Sequence, residues 1–415
     1  MNVDVAGFDY VPRTRLIYGA GVLNQLGTVA REIAGNAKVL LVTDQGIVQA
    51  GHAARAQSVL EAAGLGVVVY DKVRENPDTR DVDACLQVAK AAQPTLLIGL
   101  GGGSSMDVAK GTNFLYTNGG RMQDYRGVGK AAQPMLPLIC VPTTAGTGSE
   151  CQSFALIADE TTHQKMACGD PKTAARVALL DPELTVSQPP RVTACTGIDA
   201  LSHAVETAVT KKRSEFSAVF SREACAWIVE SLPVVLKEPQ NLRARGHMQL
   251  AAAFAGTAIE SSMLGAAHAC ANPLTANFGI VHGLAVGLML PTVVRFNAHD
   301  AVAREHYLDL AATAGLCRRN EDPRAAVEAL ATRIEFLLNA AGIPRSLSEL
   351  GVNKTHLAKL SDEASKQWTG TFNPRALGPA DCASLYATAL EIRGDGWGGG
   401  ERRRGSLRLE KGELS

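Results

Sequence analysis

No cysteine in this chain is spaced Cys-x-x-Cys, and the nine that occur, at 85, 140, 151, 168, 195, 225, 270, 317 and 382, are scattered and odd in number. That excludes a zinc ribbon, argues against a disulfide framework and fits a reducing, cytoplasmic setting. Net charge is missing too: 41 Lys and Arg balance 41 Asp and Glu, and no long basic stripe is present to neutralise phosphates, so nucleic acid is not expected as a partner. The start of the chain, MNVDVAGFDYVPRTRL, carries acids and has none of the apolar run of a secretory signal. Absence of G-x-S-x-G, H-E-x-x-H and D-x-D-x-D-G removes the serine-hydrolase, zincin and calcium-loop readings.

One absence is local. Between Glu260 and Arg295 there is no Asp, Glu, Lys or Arg, which by hydropathy alone resembles a membrane span. The stretch nevertheless holds His268, Asn272, Pro273, Asn277 and His282, and those groups are costly in hydrocarbon. It reads as a buried helical core with polar groups gathered at a site, and no membrane is expected as a partner.

What is present is a chain of 415 residues, 46% hydrophobic and 20% charged, enough for two domains with substantial cores. Up to about residue 189 the pattern is α/β. Ala37–Thr43, Gly66–Tyr70 and Thr95–Leu100 read as buried strands without polar alternation, and Val48–Ala63, Asp81–Ala92 and the segment from Met106 as helices between them. That alternation indicates a parallel sheet covered on both faces. From 190 to about 392 helical spacing dominates, in Gly197–Thr210, Phe216–Val235, Leu242–Met263, Ala301–Ala314, Pro323–Ala341 and Lys354–Lys366. Pro189–Pro190 marks the junction. Residues 393–415, rich in Gly and charge, read as a disordered tail.

Two strand-end loops suit a phosphate. Leu100 ends an apolar run and GGGSSMDVAK (101–110) follows, glycines running straight into a helix whose first amides face outward. PTTAGTGSE (142–150) follows Pro137–Val141 and places Thr143, Thr144, Thr147 and Ser149 on a loop that can wrap a sugar or phosphate. Asp44 closes the first strand, where a carboxylate accepts from ribose hydroxyls and repels a 2′-phosphate, favouring NAD over NADP. In the helical half, Asp199 and His203 of GIDALSHAVET stand at i and i+4 on one helix face. His268 and His282 follow, with Asn272, Pro273 and Gly279 expected to break the chain between them so that the imidazoles converge from separate segments. One carboxylate and three imidazoles suit iron(II) or zinc with positions open for a substrate oxygen.

The order GGGSSMDVAK, PTTAGTGSE, GIDALSHAVE, then a His and a second His-Gly 14 residues later, resembles the iron-containing (group III) alcohol dehydrogenases. The resemblance runs from about Tyr10, through TRLIYGAGVLNQLG, past FNPR at 372–375 to about Leu390. It implies a dehydroquinate synthase-like architecture: an N-terminal dinucleotide-binding α/β domain, a helical metal-binding domain and a site in the cleft between them. It further implies Asp199, His203, His268 and His282 as metal ligands; Gly102, Gly103 and Ser104 as the pyrophosphate turn; and Asp44 as the ribose acceptor. Asn76, Thr143, Thr144, Thr147, Lys165 and Leu184 would be further cofactor contacts. The activity implied is NAD-linked hydride transfer between a small primary alcohol and its aldehyde, in a homodimer or higher homo-oligomer. Phe154, Ile259, Met263 and Trp368 are expected to line an apolar substrate pocket. The sequence departs from the pattern at Asn272, where many members have a second His proposed to relay the proton. Polyol or phosphorylated-substrate dehydrogenases and dehydroquinate synthase on the same architecture remain as alternatives, against which stands the lack of Lys and Arg from Glu260 to Arg295. So does a non-catalytic homologue that binds metal and nucleotide.

Overall fold

Apolar runs bounded by glycine and polar residues become strands, and the amphipathic runs between them become helices. In the computed structural model, which describes residues 7–391, the first half contains β1 (Arg15–Tyr18), α1 (Leu26–Ala34), β2 (Lys38–Val42), α2 (Gln45–Gln49), α3 (His52–Ala62), β3 (Gly66–Tyr70), α4 (Thr79–Ala92), β4 (Leu96–Gly101), α5 (Gly103–Asn118), β5 (Gly127–Val128), β6 (Leu138–Pro142), β7 (Phe154–Ala158), β8 (Lys165–Gly169) and β9 (Val177–Leu180). The expected tail, 393–415, lies outside the described residues.

Six strands form one parallel sheet in the order β1-β9-β6-β4-β2-β3. Alternate residues of a strand point to opposite faces. Val39 and Leu41 of β2 therefore pack with Leu23, Leu26 and Leu60 on one side, while Leu40 and Val42 pack with Cys85, Ala89 and Met106 on the other. Both faces are covered, which is why these strands lack polar alternation. A smaller sheet, β5-β8-β7, flanks the main one and carries an antiparallel hairpin, β7–β8. The chain runs from β2 out to β3, then returns to the other side of β2 as β4. The direction of winding thus reverses between β2 and β4, and the crevice at their carboxyl ends is where such sheets bind ligands.

The second half is helical: α6 (Pro190–Thr207), α7 (Glu215–Lys237), α8 (Leu242–Ser262), α9 (Ala266–Phe278), α10 (His282–Asn297), α11 (Ala301–Thr313), α12 (Pro323–Ala340), α13 (Leu357–Ser365) and α14 (Pro379–Leu390). Pro190 occupies the first turn of α6, where a missing N–H costs nothing. Every residue from Gly197 to Thr207 is buried, so α6 is wrapped on all sides. Among the described residues no single helix is long and apolar enough to cross a membrane; one pair, α8 with α9, passes jointly on length and composition but bends by 105°.

Three local expectations need correction. The helix expected over Val48–Ala63 is two, α2 and α3, because Gly51 turns left-handed between them (φ 79°). Asn272 and Pro273 do not break the chain but lie inside α9; the ring of Pro273 forfeits one backbone bond without ending the helix, and the turn comes at Gly279 (φ 63°). The segment 354–366 is α-helical only over α13, its first three residues forming a 3-10 turn.

Candidate functional site

The winding reversal brings the two anticipated loops and Asp44 to one place. Asp44 caps α2, accepting from Ile47 N at 3.1 Å, and its other oxygen accepts from Ser105 Oγ at 3.2 Å. Strand end β2 and the glycine turn after β4 are thereby joined. The two loops touch: a methyl on Gly103 would meet Thr147 Cγ2 at 2.8 Å, and one on Gly102 would meet Thr144 Cγ2 at 3.4 Å. Bare backbone at 102–103 leaves the amides at the N-terminus of α5 open to an anion, with Ser104 on the first turn. Leu184 is fully buried in the adjoining core.

What holds this cradle was not anticipated. Lys110, the last residue of the glycine-loop motif, is fully buried. Its Nζ donates to Ser149 O (2.6 Å), Ser149 Oγ (2.9 Å), Gln152 O (2.8 Å) and Phe154 O (3.0 Å). Ser149 Oγ passes a hydrogen bond on to Asp107 Oδ1 at 2.8 Å. The motif lysine is thus no phosphate ligand; it ties the hydroxyl loop to α5. From the helical side Gln249 Nε2 donates to Pro142 O at 3.1 Å, and from the segment just before α6 Gln188 Nε2 donates to Thr143 O.

Three of the four metal candidates, Asp199, His268 and His282, bring ligand atoms within 4.8 Å of one another, and His203 joins them through Asp199. α6 supplies Asp199 and His203 one turn apart, α9 supplies His268 and the first residue of α10 is His282. The Nε2 atoms of His203, His268 and His282 lie 3.5, 3.6 and 3.9 Å from one atom, Asp199 Oδ1. Those gaps are too long for good hydrogen bonds. The 3.5 and 3.6 Å gaps suit ligands that each stand about 2.0–2.2 Å from a shared ion, which tetrahedral geometry sets about 3.3–3.6 Å apart, and His282 stands slightly farther out at 3.9 Å. Asp199 Oδ1 and His268 Nε2 are buried without a hydrogen-bond partner, a costly condition that a cation relieves. The donor set and its orphaned atoms therefore fit a divalent metal.

Glu206 completes the arrangement. It follows His203 by three residues on α6, accepts from Ala267 N at 2.6 Å and hydrogen-bonds His268 Nδ1. The proton on Nδ1 leaves the Nε2 lone pair for a metal. Burial opposes charge on His268, but Glu206 and Asp199 prevail and raise it to about 9. Burial lowers His282 to about 3, against Asp199 and with help from Lys165, and burial likewise lowers His203. Burial would raise Asp199, yet His203, His268 and His282 hold it well below the usual carboxylate range.

His282 opens onto a cleft of about 1320 Å³ between the small sheet and helices α9 and α13. Residues 12–182 match the family "Iron-containing alcohol dehydrogenase", and residues 193–390 match "Fe-containing alcohol dehydrogenase family, C-terminal". The chain belongs to the iron-containing alcohol dehydrogenase family. It is 35% identical over 381 residues to alcohol dehydrogenase 4 of Schizosaccharomyces pombe, covering 92% of this chain and 88% of that protein. It is 32% identical to the NAD-dependent methanol dehydrogenase of Bacillus methanolicus, over 92% of this chain and 99% of that one. A solved 1,3-propanediol oxidoreductase superposes with a TM-score of 0.89 at 30% identity, over 93% of this chain and all of that one.

This iron-containing alcohol dehydrogenase family member is an oxidoreductase acting between alcohols and aldehydes. Its cleft is lined by Asn76, Lys165, Phe154, Asn272, Gln367 and Trp368, among others. Asn76 takes a left-handed conformation (φ 52°), tolerated by asparagine. Phe154 and Trp368 face each other with ring centroids 6.0 Å apart. Ile259 and Met263 are not on the wall: Ile259 is buried inside α8, and Met263 is spent on ending that helix at φ 67°. Nor is the cleft free of basic groups. The uncharged stretch from 261 to 294 does supply none, but Arg126, Lys165, Lys359 and Lys366 reach the wall from other segments. Lys366 is paired with Asp362 at 2.6 Å and Lys359 with Glu363 at 3.8 Å.

Proposed function

We propose that this enzyme transfers hydride between a small primary alcohol and NAD, with iron(II) held by Asp199, His203, His268 and His282. The observation that carries the reading is the convergence of three imidazole nitrogens on the partnerless Asp199 Oδ1 beside the cleft. When bound, the metal supplies Lewis acidity toward an alcohol or carbonyl oxygen and the nicotinamide supplies the hydride acceptor or donor.

The chain's own groups do the rest. Amides at Gly102, Gly103 and Ser104 neutralise the pyrophosphate at the start of α5. Asp44 accepts from adenosine-ribose hydroxyls, and its charge disfavours the 2′-phosphate of NADP. Thr143, Thr144 and Thr147 present hydroxyls to the same cofactor, with Asn76, Lys165 and Leu184 completing its surroundings. Glu206 fixes the His268 tautomer, and Phe154 and Trp368 shed water from the reacting carbons. Asn272 does not titrate, so the alcohol proton leaves by a route that does not use this side chain. The apolar face formed by Phe154 and Trp368 supports short primary alcohols and their aldehydes as substrates.

A homo-oligomer is supported by the edge strand β1, which exposes Leu16 and Tyr18. A cytoplasmic setting is supported by nine free cysteines, seven of them buried. The division into a cofactor domain ending near 189 and a metal domain from 190 is supported by the last strand ending at Leu180 and α6 beginning at Pro190.

The test is elemental analysis of anaerobically purified protein beside NADH oxidation with a panel of short aldehydes. About one iron per chain with turnover supports the reading, and zinc in its place reassigns the metal alone. Turnover without metal would overturn it.

A further inference from the structure

Arg245 is a buried cation that neither the cofactor cradle nor the metal cluster uses. It is 3% exposed and stands at the end of the first turn of α8, where the helix dipole opposes positive charge. Its Nε donates to Pro239 O at 2.7 Å and its Nη1 to Thr193 Oγ1 at 3.2 Å. Both acceptors are neutral, and among the described residues no carboxylate pairs with this guanidinium: burial lowers its pKa and no acid acts against that. A guanidinium carries five N–H groups, so three are left over, both of those on Nη2 among them. An arginine removed from water in this way keeps a charge that nothing compensates, which is costly.

The same guanidinium lines a small cavity of about 10 Å³, together with Thr185, Gln188, Thr193 and Thr196, and no Asp or Glu stands on its wall. Thr193 ends the first turn of α6, so the N-termini of two helices border the space, and neither has an acid in its first turn. Thr185 and Thr196 turn their protons to Pro182 O and Val192 O. The donors left over are those of Arg245 and one N–H of Gln188 Nε2, whose other hydrogen goes to Thr143 O. A water would satisfy these donors but not the charge, whereas an anion does both. The volume takes one particle of about water size, which admits a halide and excludes sulfate or phosphate. We infer that this cavity binds a single halide-sized anion such as chloride, held by Arg245 and Gln188 between the starts of α6 and α8. The ion acts beyond its own walls, because Thr193 Oγ1 donates to Gln188 Oε1 at 3.2 Å and Gln188 holds the Thr143 carbonyl. It thereby braces the hydroxyl loop from behind, and cofactor affinity rises with its occupancy. That coupling rests on the proposed cofactor reading; the site itself does not.

The test is the thermal midpoint of the native protein in rising chloride at constant ionic strength, with gluconate making up the balance, beside anomalous diffraction from crystals soaked in bromide. Between about 5 and about 200 mM chloride the midpoint should rise by about 3 °C, and a bromide peak should stand in the cavity against Arg245. Arg245→Met should melt alike in both salts and lose the peak. Gln188→Leu keeps the arginine, should weaken the chloride response part-way, and carries the test if the first variant does not fold. NAD affinity, read by calorimetric titration in the same salts, should be about fivefold higher in chloride for the native protein and equal in the two salts for Arg245→Met. No bromide peak in the cavity, or a midpoint indifferent to the anion, overturns the site and leaves water as the partner of the guanidinium. A peak and a midpoint shift with NAD affinity unmoved overturn the coupling alone. No NAD binding in either salt overturns the cofactor reading on which the coupling rests.

Discussion

Replacing Lys110 by methionine should loosen the cofactor half of the molecule while leaving the metal ligands untouched. Methionine has similar length and fills most of the space, so the cavity contribution is small. What is lost is a buried ammonium that four acceptors share at 2.6–3.0 Å. A single hydrogen bond to a charged group contributes about 1.5–3 kcal/mol, and removing one member of a buried charged network costs about 3–5 kcal/mol. Taking about 4 kcal/mol, and an unfolding entropy of about 2.1 cal/mol/K per residue over the roughly 180 residues of the α/β half, the midpoint should drop by about 10 °C. Because the same ammonium fixes the backbone from Ser149 to Phe154, KM for NAD should rise more than kcat falls. Differential scanning calorimetry and steady-state kinetics at saturating alcohol measure both. Ser149→Ala is the control: it removes the hydroxyl but keeps the three carbonyl contacts, and should cost only about 1 kcal/mol. A Lys110→Met protein that melts within about 3 °C of the native one with KM unchanged would refute the argument that this lysine ties the hydroxyl loop to α5.

Four further outcomes are expected. His268→Ala or His282→Ala should abolish metal retention and activity together, read by elemental analysis; retention of both would remove these residues from the ligand set. Glu206→Gln should weaken metal affinity about 10–100-fold by disturbing the His268 tautomer, and an unchanged chelator titration would deny that role. Asp44→Gly should raise the NADP-to-NAD ratio of kcat/KM by about tenfold, and a ratio that stays put would show that the carboxylate does not set it. Glu150 is buried and raised by that burial to about 7. The folded state holds this proton more tightly than the unfolded one, so the group's contribution falls as pH rises from about 4.5 to 7. Glu150→Gln should therefore stabilise the protein by about 3 kcal/mol at pH 8 and by much less at pH 5. Equal urea midpoints at pH 8 would contradict this.

Much of the architecture was legible because buried parallel strands announce themselves as unbroken apolar runs: KVLLV and LLIGLG became β2 and β4 almost unshifted. The β7–β8 hairpin was not, since KMACG and FALIA carry no turn signal of the two-residue type between them. Proline misled at 273, where the surrounding helical bundle tolerates one missing backbone bond inside α9. In the site, Asp199 and His203 were readable from i, i+4 spacing alone. Glu206 lay three residues further on the same face, and its spacing from His203 was the available signal. Gln367 gave none: its meeting with Asn272 spans 95 positions and depends on how α13 ends. For Ile259 and Met263 the apolar character of α8 did not tell which of its faces the fold covers.

The hydroxyl loop and α8 meet glycine against glycine. A methyl on Gly148 would come within 2.6 Å of Gly256 Cα and of Ala252 O, and one on Gly256 would collide with the Gly148 backbone. The spacing of the two halves of the enzyme at this seam is therefore gauged by two missing methyl groups. Gly256→Ala would act as a shim: main chain has nowhere to yield, so the loop carrying Thr143, Thr144 and Thr147 would be pushed away from the helices that carry the four metal-ligand candidates. The separation of the hydroxyl loop from the helices that carry the metal-ligand candidates is thus built into the chain by what these two residues do without.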